Sequence, residues 1–161
     1  MVELERTRLM LENLGLTQAA LTLDSHLDYA ARSEMTYLEF INRLLKDEAD
    51  FRRKRSEETR LKLSHLPQKK TLDDFDFSFQ PSIDERQIRE LATLSFIHRQ
   101  ENVILLGPPG VGKSHIAIGL AVEAIRQGLS VYFVSMEKLL YDLRRANNEG
   151  KLHNRWKVYQ R

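Results

Sequence analysis

Eight residues, from Gly107 to Ser114, constrain this chain more than any other stretch, because they read Gly-Pro-Pro-Gly-Val-Gly-Lys-Ser. This order fits G-x-x-x-x-G-K-[ST], the Walker A motif or phosphate-binding loop (P-loop). Four apolar residues at 103–106 precede the loop and predict a short buried strand, and an apolar repeat at helical spacing follows it. A tight turn alone would explain the glycines but not the Lys-Ser pair, so the stretch indicates phosphate binding.

The residues of this motif have distinct expected roles in holding a nucleotide. Glycines let the backbone curl its N–H groups around phosphate oxygens, and the positive end of the following helix points at the same anion. Lys113 is expected to reach the β- and γ-phosphates of ATP, and the Ser114 hydroxyl to complete the Mg²⁺ shell. The predicted cofactor-binding residues are Gly107, Pro108, Pro109, Gly110, Val111, Gly112, Lys113, Ser114 and His115. Ser114 is the predicted metal ligand, and no catalytic residue is predicted.

The pattern on either side of the loop predicts an α/β fold with two parts. Residues 1–65 show helical repeats and form a small all-helical N-terminal module, and 66–81 form a connector. Residues 82–161 form a truncated P-loop domain with a parallel sheet. Its second strand is predicted at 131–134, parallel to 103–106 because a crossover helix joins them.

Two capping boxes predict helix starts elsewhere in the chain. Thr36 with Glu39 opens a long helix in the N-terminal module, and Ser82 with Glu85 opens another that runs to about Arg99. Ser135 can cap a later helix that ends at Gly150.

Three phenylalanines alternate along the connector, at Phe75, Phe77 and Phe79. Alternation predicts an extended segment with one apolar face, which would dock on the nucleotide-binding domain rather than stay in water. The rings either pin the connector down, which we favour, or border an adenine pocket.

Basic residues are concentrated just before the connector, although the net charge of +2 is too small to carry meaning alone. The window 52–70 has only two acids, Glu57 and Glu58, and its bases are Arg52, Arg53, Lys54, Arg55, Arg60, Lys62, Lys69 and Lys70. They form either a solvated helix face or a stripe that contacts DNA phosphates, and the sequence does not decide between the two. A second basic window at 151–161 includes aromatic residues of the kind that stack on nucleic acid.

Composition and the acidic residues exclude several functions. The chain has no cysteine, which excludes disulfides and suits a reducing cytoplasm, and no apolar run or signal peptide predicts a membrane or secreted location.

Hydrolysis by a P-loop ATPase needs a later strand ending in an acid that holds Mg²⁺. The acids after the loop all lie in helical patterns: Glu123, Glu137, Asp142 and Glu149. We therefore expect nucleotide binding without turnover.

These features together resemble the IstB-like helper ATPases of insertion-sequence transposition, close relatives of the DnaC-type helicase loaders within the AAA+ ATPases. The resemblance rests on the segment from Asn102 to His115, and more specifically on Thr-Leu-Asp-Asp-Phe-Asp-Phe at 71–77. Shorter matches at 135–139 and 150–152 support it.

The resemblance implies ATP and Mg²⁺ as cofactors and double-stranded DNA as a partner. It also implies a partner transposase that receives target DNA, and self-association of the full-length protein. Family members continue with Walker B, sensor and arginine-finger segments that this chain lacks, so the chain looks like the N-terminal portion of such a helper. The alternative is a DnaC-like helicase-loader adaptor that acts through protein–protein contacts of residues 1–65. A metabolic P-loop kinase is the least favoured hypothesis.

Overall fold

The computed structural model describes residues 2–159 of the chain, and every regular element in this range is an α-helix. The chain divides into two compact units, Met1–Thr59 (unit 1) and Arg60–Arg161 (unit 2). The helices are α1 (Val2–Asn13), α2 (Thr17–Arg32), α3 (Tyr37–Leu63), α4 (Glu85–Leu91), α5 (Ser95–His98), α6 (Lys113–Arg126), α7 (Met136–Asn148) and α8 (Leu152–Tyr159). The predicted module and connector boundaries at 65 and 81 remain predictions.

Unit 1 is a small helical assembly around an apolar cluster. Its buried members are Ala19, Leu23 and Leu44, against which partly buried Leu11 and Phe40 pack. The capping box at the start of α3 is confirmed. The Thr36 N–H donates to Glu39 Oε2 at 2.8 Å, and the Glu39 N–H donates to Thr36 Oγ1 at 3.3 Å.

A buried carboxylate of α3 ties this helix to α2 and, through Arg52, to the loop before α2. Glu48 of α3 is only 3% exposed, and its Oε2 accepts from the Ala19 N–H at 2.9 Å. Its Oε1 accepts from Arg52 Nε at 2.7 Å, and Arg52 also donates to the Gly15 carbonyl at 2.7 Å. The residue before α2, Leu16, offers no side-chain cap. Glu48 therefore supplies the N-terminal cap that α2 lacks in its own sequence.

The electrostatics of Glu48 follow from these contacts. Burial raises the pKa of Glu48, because a carboxylate is poorly solvated there, but the N–H groups of Ala19 and Gln18 and the Arg52 guanidinium outweigh burial. The net pKa lies below the usual value of a glutamate. Glu48 is thus held as an anion by the fold.

In unit 2 the connector and α6 share one core. The buried cluster consists of Leu72 from the connector, Ile88 from α4, and Ile116 and Leu120 from α6. The connector is locked in shape by a reciprocal pair, because Thr71 N–H and Oγ1 donate to Asp74 Oδ2 at 2.9 and 2.6 Å. These hydrogen bonds lower the pKa of Asp74. The connector is therefore folded against α6 and is not a free linker.

The predicted single helix from Ser82 to Arg99 is wrong in two respects. Asp84, not Ser82, caps α4, since its carboxylate accepts from the Arg86 N–H at 2.8 Å. The chain then breaks at Leu94, which adopts a left-handed backbone (φ 60°) and is only 1% exposed. Burial of the Leu94 side chain offsets the strain of that conformation.

The predicted parallel sheet is absent from the described part of the chain, so the α/β fold class is wrong for this structure. Residues 103–106 and 131–134 are not helical, but they do not pair with each other. Strands exist only through hydrogen bonds to a neighbouring strand, and apolar composition alone cannot supply that partner. Phe133 instead donates its N–H to the carbonyl of Ser64, at 2.7 Å.

The last two helices form a hairpin in unit 2. Ser135 caps α7 as predicted, because its hydroxyl accepts from the Lys138 N–H at 3.2 Å. Asp142 of α7 accepts from Arg155 at 2.5 Å and from the Tyr159 hydroxyl at 3.0 Å, and both hydrogen bonds lower its pKa. Across the residues that the structure describes, none of the helices has the length and apolar character needed to cross a membrane.

Candidate nucleotide-binding site

The loop predicted to bind phosphate forms a tight turn that leads directly into α6. Gly110 and Gly112 have φ values of 85° and 93°, a left-handed region that L-residues rarely adopt. A Cβ at Gly110 would meet no atom within 4 Å, so backbone conformation rather than space requires glycine there. The sequence prediction of a glycine loop at a helix start therefore agrees with the local geometry.

Lys113 is held against the loop by neutral acceptors. Its Nζ donates to the carbonyl oxygens of Gly107 at 2.7 Å and Pro108 at 2.6 Å. Among the ion pairs of the described residues, none includes Lys113, so no carboxylate compensates its charge. The loop thus presents a positive charge.

The start of α6 adds to the positive character of the loop. Gly112 occupies the N-cap position and has no side chain to accept from the first-turn N–H groups, and the first turn has no acidic residue. These N–H groups carry the positive end of the helix dipole. Ser114 is exposed in the same turn. Together with Lys113 they fit a phosphate group, and the Ser114 hydroxyl fits a hard cation bound to it.

A cleft of about 590 Å³ adjoins the loop, and its size suits a small-molecule ligand. Gly107, Val111 and Lys113 contribute to its wall at the loop end. Other lining residues include the polar Gln80, Ser82, Gln87 and Asn102 and the apolar Ile83 and Leu91. The cleft therefore combines an apolar surface with several hydrogen-bonding groups beside the cationic loop.

The connector rings are divided between core and solvent. Phe75 and Phe77 pack against the buried cluster of unit 2, with ring centroids 4.8 Å apart. Phe79 is 79% exposed. None of the three rings is among the residues that line the cleft. For Phe75 and Phe77 the geometry favours the interpretation that they hold the connector down.

His115 turns away from the loop. Its Nε2 lies 2.9 Å from the carbonyl oxygen of Thr71, and its ring meets the Phe75 ring edge-on at 5.2 Å. The side chain thus joins α6 to the connector. A contribution of His115 to nucleotide binding remains a prediction.

The four consecutive bases of α3 do not form one stripe. Successive helical residues point about 100° apart, so four in a row are spread around the axis. Arg52 is bound to Glu48 and Gly15, and Arg53 pairs with Asp50 at 2.9 Å. Lys54 and Arg55 are exposed. DNA binding by these residues remains a prediction, and Lys54 and Arg55 are the better candidates.

The acids after the loop lie where the sequence predicted them, in or beside helices. Glu123 pairs with Arg126 at 3.6 Å, and Glu149, at the end of α7, accepts from Arg145 at 2.9 Å. Asp142 is engaged by α8, and Glu137 lies in the first turn of α7. Within residues 2–159, no cluster of three or more acids and histidines could hold a metal ion.

Sequence reasoning missed the contacts between the connector and α6. Gly119 lies against Leu72, and Gly112 lies against Phe75, closely enough that a Cβ at either glycine would collide. The available signal was a glycine inside the strongly apolar α6, since a helical glycine costs stability and so indicates a close approach.

The arrangement as a whole is a helix start without an acidic partner, beside a cleft, and its geometry suits an anion. Residues 9–161 match the protein family described as IstB-like ATP binding protein, and the chain belongs to this family. The resemblance drawn from the sequence is thereby confirmed.

Several curated relatives carry names from insertion sequences. An insertion sequence IS5376 ATP-binding protein of Geobacillus stearothermophilus is 51% identical over 132 residues, which cover 82% of this chain and 53% of the relative. An IS21 ATP-binding protein of Pseudomonas aeruginosa is 46% identical over 143 residues, covering 89% and 54%. An IS232 ATP-binding protein of Bacillus thuringiensis subsp. berliner is 38% identical over 149 residues, covering 92% and 60%. The chain thus spans little more than half the length of these relatives.

Proposed function

We propose that this chain binds ATP with Mg²⁺ through Gly107–Ser114 and serves as an ATP-binding helper of DNA transposition. In this role it delivers target DNA to a partner transposase, in the cytoplasm. The observation that carries the nucleotide proposal is the uncapped start of α6 with the uncompensated Lys113 beside it. The names of the relatives support ATP and an insertion-sequence setting.

Each part of the nucleotide would meet a matching group of the chain. The loop N–H groups and α6 would hold the phosphates, Lys113 would exchange its carbonyl partners for phosphate oxygens, and Ser114 would hold Mg²⁺. When bound, Mg²⁺ neutralises part of the phosphate charge. The adjoining cleft would take the base and ribose, with Gln80, Ser82 and Gln87 as hydrogen-bonding groups.

We further propose that the 161-residue chain holds ATP without hydrolysing it at a meaningful rate. Hydrolysis needs an acid that positions the metal, a group that orients water and a charge-stabilising arginine. The four acids after the loop are engaged in helices or their caps. An arginine finger alone contributes on the order of 10³ to 10⁵ in rate. Phosphate release by purified chain should equal that of a protein-free control, and release that Lys113→Ala abolishes would contradict this.

Titration with a fluorescent ATP analogue in the presence of Mg²⁺ tests the binding proposal. Lys113→Ala should weaken binding about 100-fold, because a charge-assisted contact to phosphate is lost. Lys138→Ala is the matched control, since Lys138 is also a lysine in the first turn of a helix and does not line the cleft. Equal affinities of the two variants would overturn the proposed site.

The relatives favour the transposition helper over the helicase-loader adaptor, because their names place them in insertion sequences. Pull-down of the chain with the transposase of its own insertion sequence, compared with a replicative helicase, separates the two roles. Capture of the helicase alone would favour the adaptor.

A further inference from the structure

The strap formed by residues 71–77 reaches the nucleotide loop at its most constrained point. A Cβ on Gly112 would collide with the Phe75 ring, lying 2.9 Å from Cζ and closer still to Cε2. Gly112 is the N-cap of α6 and has a left-handed backbone. The Phe75 ring therefore lies directly against the residue at which the loop becomes helix.

Other contacts fix the part of the strap that precedes Phe75. His115 Nε2 lies 2.9 Å from the Thr71 carbonyl oxygen, and Leu72 fills the space left by the absent side chain of Gly119. Arg89 of α4 contacts Asp73 at 3.2 Å. The Phe75 ring itself meets the rings of Phe77 and His115 edge-on, with centroids 4.8 and 5.2 Å away, so neighbours other than the loop also hold it in place.

We infer that Phe75 is a positioning residue of the nucleotide site, which holds Gly112 and the first turn of α6 in the conformation that receives phosphate. This inference rests on the proposed function. Phe75 acts through Gly112 and touches no nucleotide, because it does not line the cleft. A loop that is already in its binding conformation loses less entropy when ligand binds, so removal of the Phe75 ring should weaken affinity.

Phe77 provides a matched control for Phe75. Both rings belong to the same connector and pack against the same buried cluster, but Phe77 is not among the nearest neighbours of a Cβ placed at Gly112. Truncating either ring to alanine removes similar packing. Only Phe75→Ala removes the contact with the loop, so a purely structural role predicts equal effects for the two variants.

The experiment measures two quantities on the full chain. Titration with the fluorescent ATP analogue should show affinity about tenfold weaker in Phe75→Ala than in Phe77→Ala. Without nucleotide, amide hydrogen exchange at Ile116, whose N–H donates to the Gly112 carbonyl at 3.0 Å, should accelerate in Phe75→Ala but not in Phe77→Ala. Phe75→Leu, which keeps apolar bulk but not the flat ring, should give the same ranking if the alanine variant folds poorly. Equal affinity and equal exchange in the Phe75 and Phe77 variants would overturn the inference.

A double-mutant cycle tests the contact itself. In the unmutated background, Gly112→Ala suffers both backbone strain and collision with the ring, whereas in the Phe75→Ala background only the strain remains. The loss of affinity caused by Gly112→Ala should therefore be smaller in the Phe75→Ala background. Additive losses would contradict the proposed role of the Phe75–Gly112 contact. Binding by the unmutated chain and by Lys113→Ala is measured first. If binding there does not depend on Lys113, the proposed function fails, and this inference fails with it.

Discussion

The N-termini of α2 and α6 both present backbone N–H groups that have no acceptor within their own helix, but only the N-terminus of α2 has a carboxylate beside it. At the start of α2 the residue before the helix offers no cap, and the Glu48 carboxylate of α3 accepts from the first-turn N–H groups. At the start of α6 the N-cap is a glycine, and the described first turn contains no acid. One positive helix end is neutralised by a carboxylate of the fold, and the other has no side-chain cap and no acid in its first turn.

The difference shows how a bare helix start becomes a candidate site. Every α-helix presents unsatisfied N–H groups at its N-terminus, and most folds satisfy them locally. Unit 1 uses a buried, negatively charged Glu48 for this purpose. In unit 2, Lys113 and the left-handed Gly112 increase the positive character of the same kind of feature instead of cancelling it.

The largest effect is expected when the internal cap of α2 is removed. Glu48→Ala leaves the buried Ala19 N–H without an acceptor and should lower the free energy of unfolding by about 2–3 kcal/mol. Glu48→Gln keeps an acceptor oxygen and should lose about half as much, because charge-assisted hydrogen bonds are about twice as strong as neutral ones. Urea unfolding followed by circular dichroism measures both. Equal stability of all three chains would show that α2 needs no cap.

A carboxylate introduced at the start of α6 should weaken ligand binding. Ser114→Glu puts an acid in the first turn of α6, where it satisfies the dipole and repels phosphate. Affinity for the ATP analogue should be about tenfold weaker than in Ser114→Ala, which loses only the hydroxyl. Similar affinities of these two variants, measured by the same titration, would mean that the start of α6 does not face the phosphates.

Glu48 should also make stability depend on pH. Its folded-state pKa lies below the unfolded value, so its contribution is fully present above the unfolded pKa of about 4.3 and is lost as pH falls through the folded pKa. Unfolding free energies measured between pH 7 and pH 3 should fall less steeply at the acidic end for Glu48→Gln than for the unmutated chain. Parallel curves would argue against a charged internal cap.

The smallest effects concern the basic residues of α3. Lys54→Ala with Arg55→Ala should leave stability within about 0.5 kcal/mol and reduce the slope of log DNA affinity against log salt by up to about two units. Arg52→Ala should instead destabilise unit 1, because Arg52 bonds Glu48 and Gly15. Filter-binding titrations at several salt concentrations measure the slopes. A slope unchanged in the double variant would make this region a solvated face.

Local rules predicted several local features of this fold, although the capping box predicted at Ser82 was wrong. The capping box at Thr36, the cap at Ser135 and the glycine loop before α6 depend on residues close in sequence, and the structure contains all three. The cap of α2 could not be foreseen, because Glu48 lies 29 residues from Ala19. The sheet prediction failed for the same reason, since a strand depends on a distant partner that apolar composition does not reveal.

Residues 103–106 have a consequence for how this protein behaves in a concentrated sample. Ile104 is 78% exposed and Leu106 is 87% exposed, and the backbone around them forms no strand pair within residues 2–159. An extended apolar segment with free hydrogen-bonding groups is a template for adding strands from other chains. We therefore expect this segment to promote self-association, and Ile104→Lys should raise the concentration at which the chain precipitates.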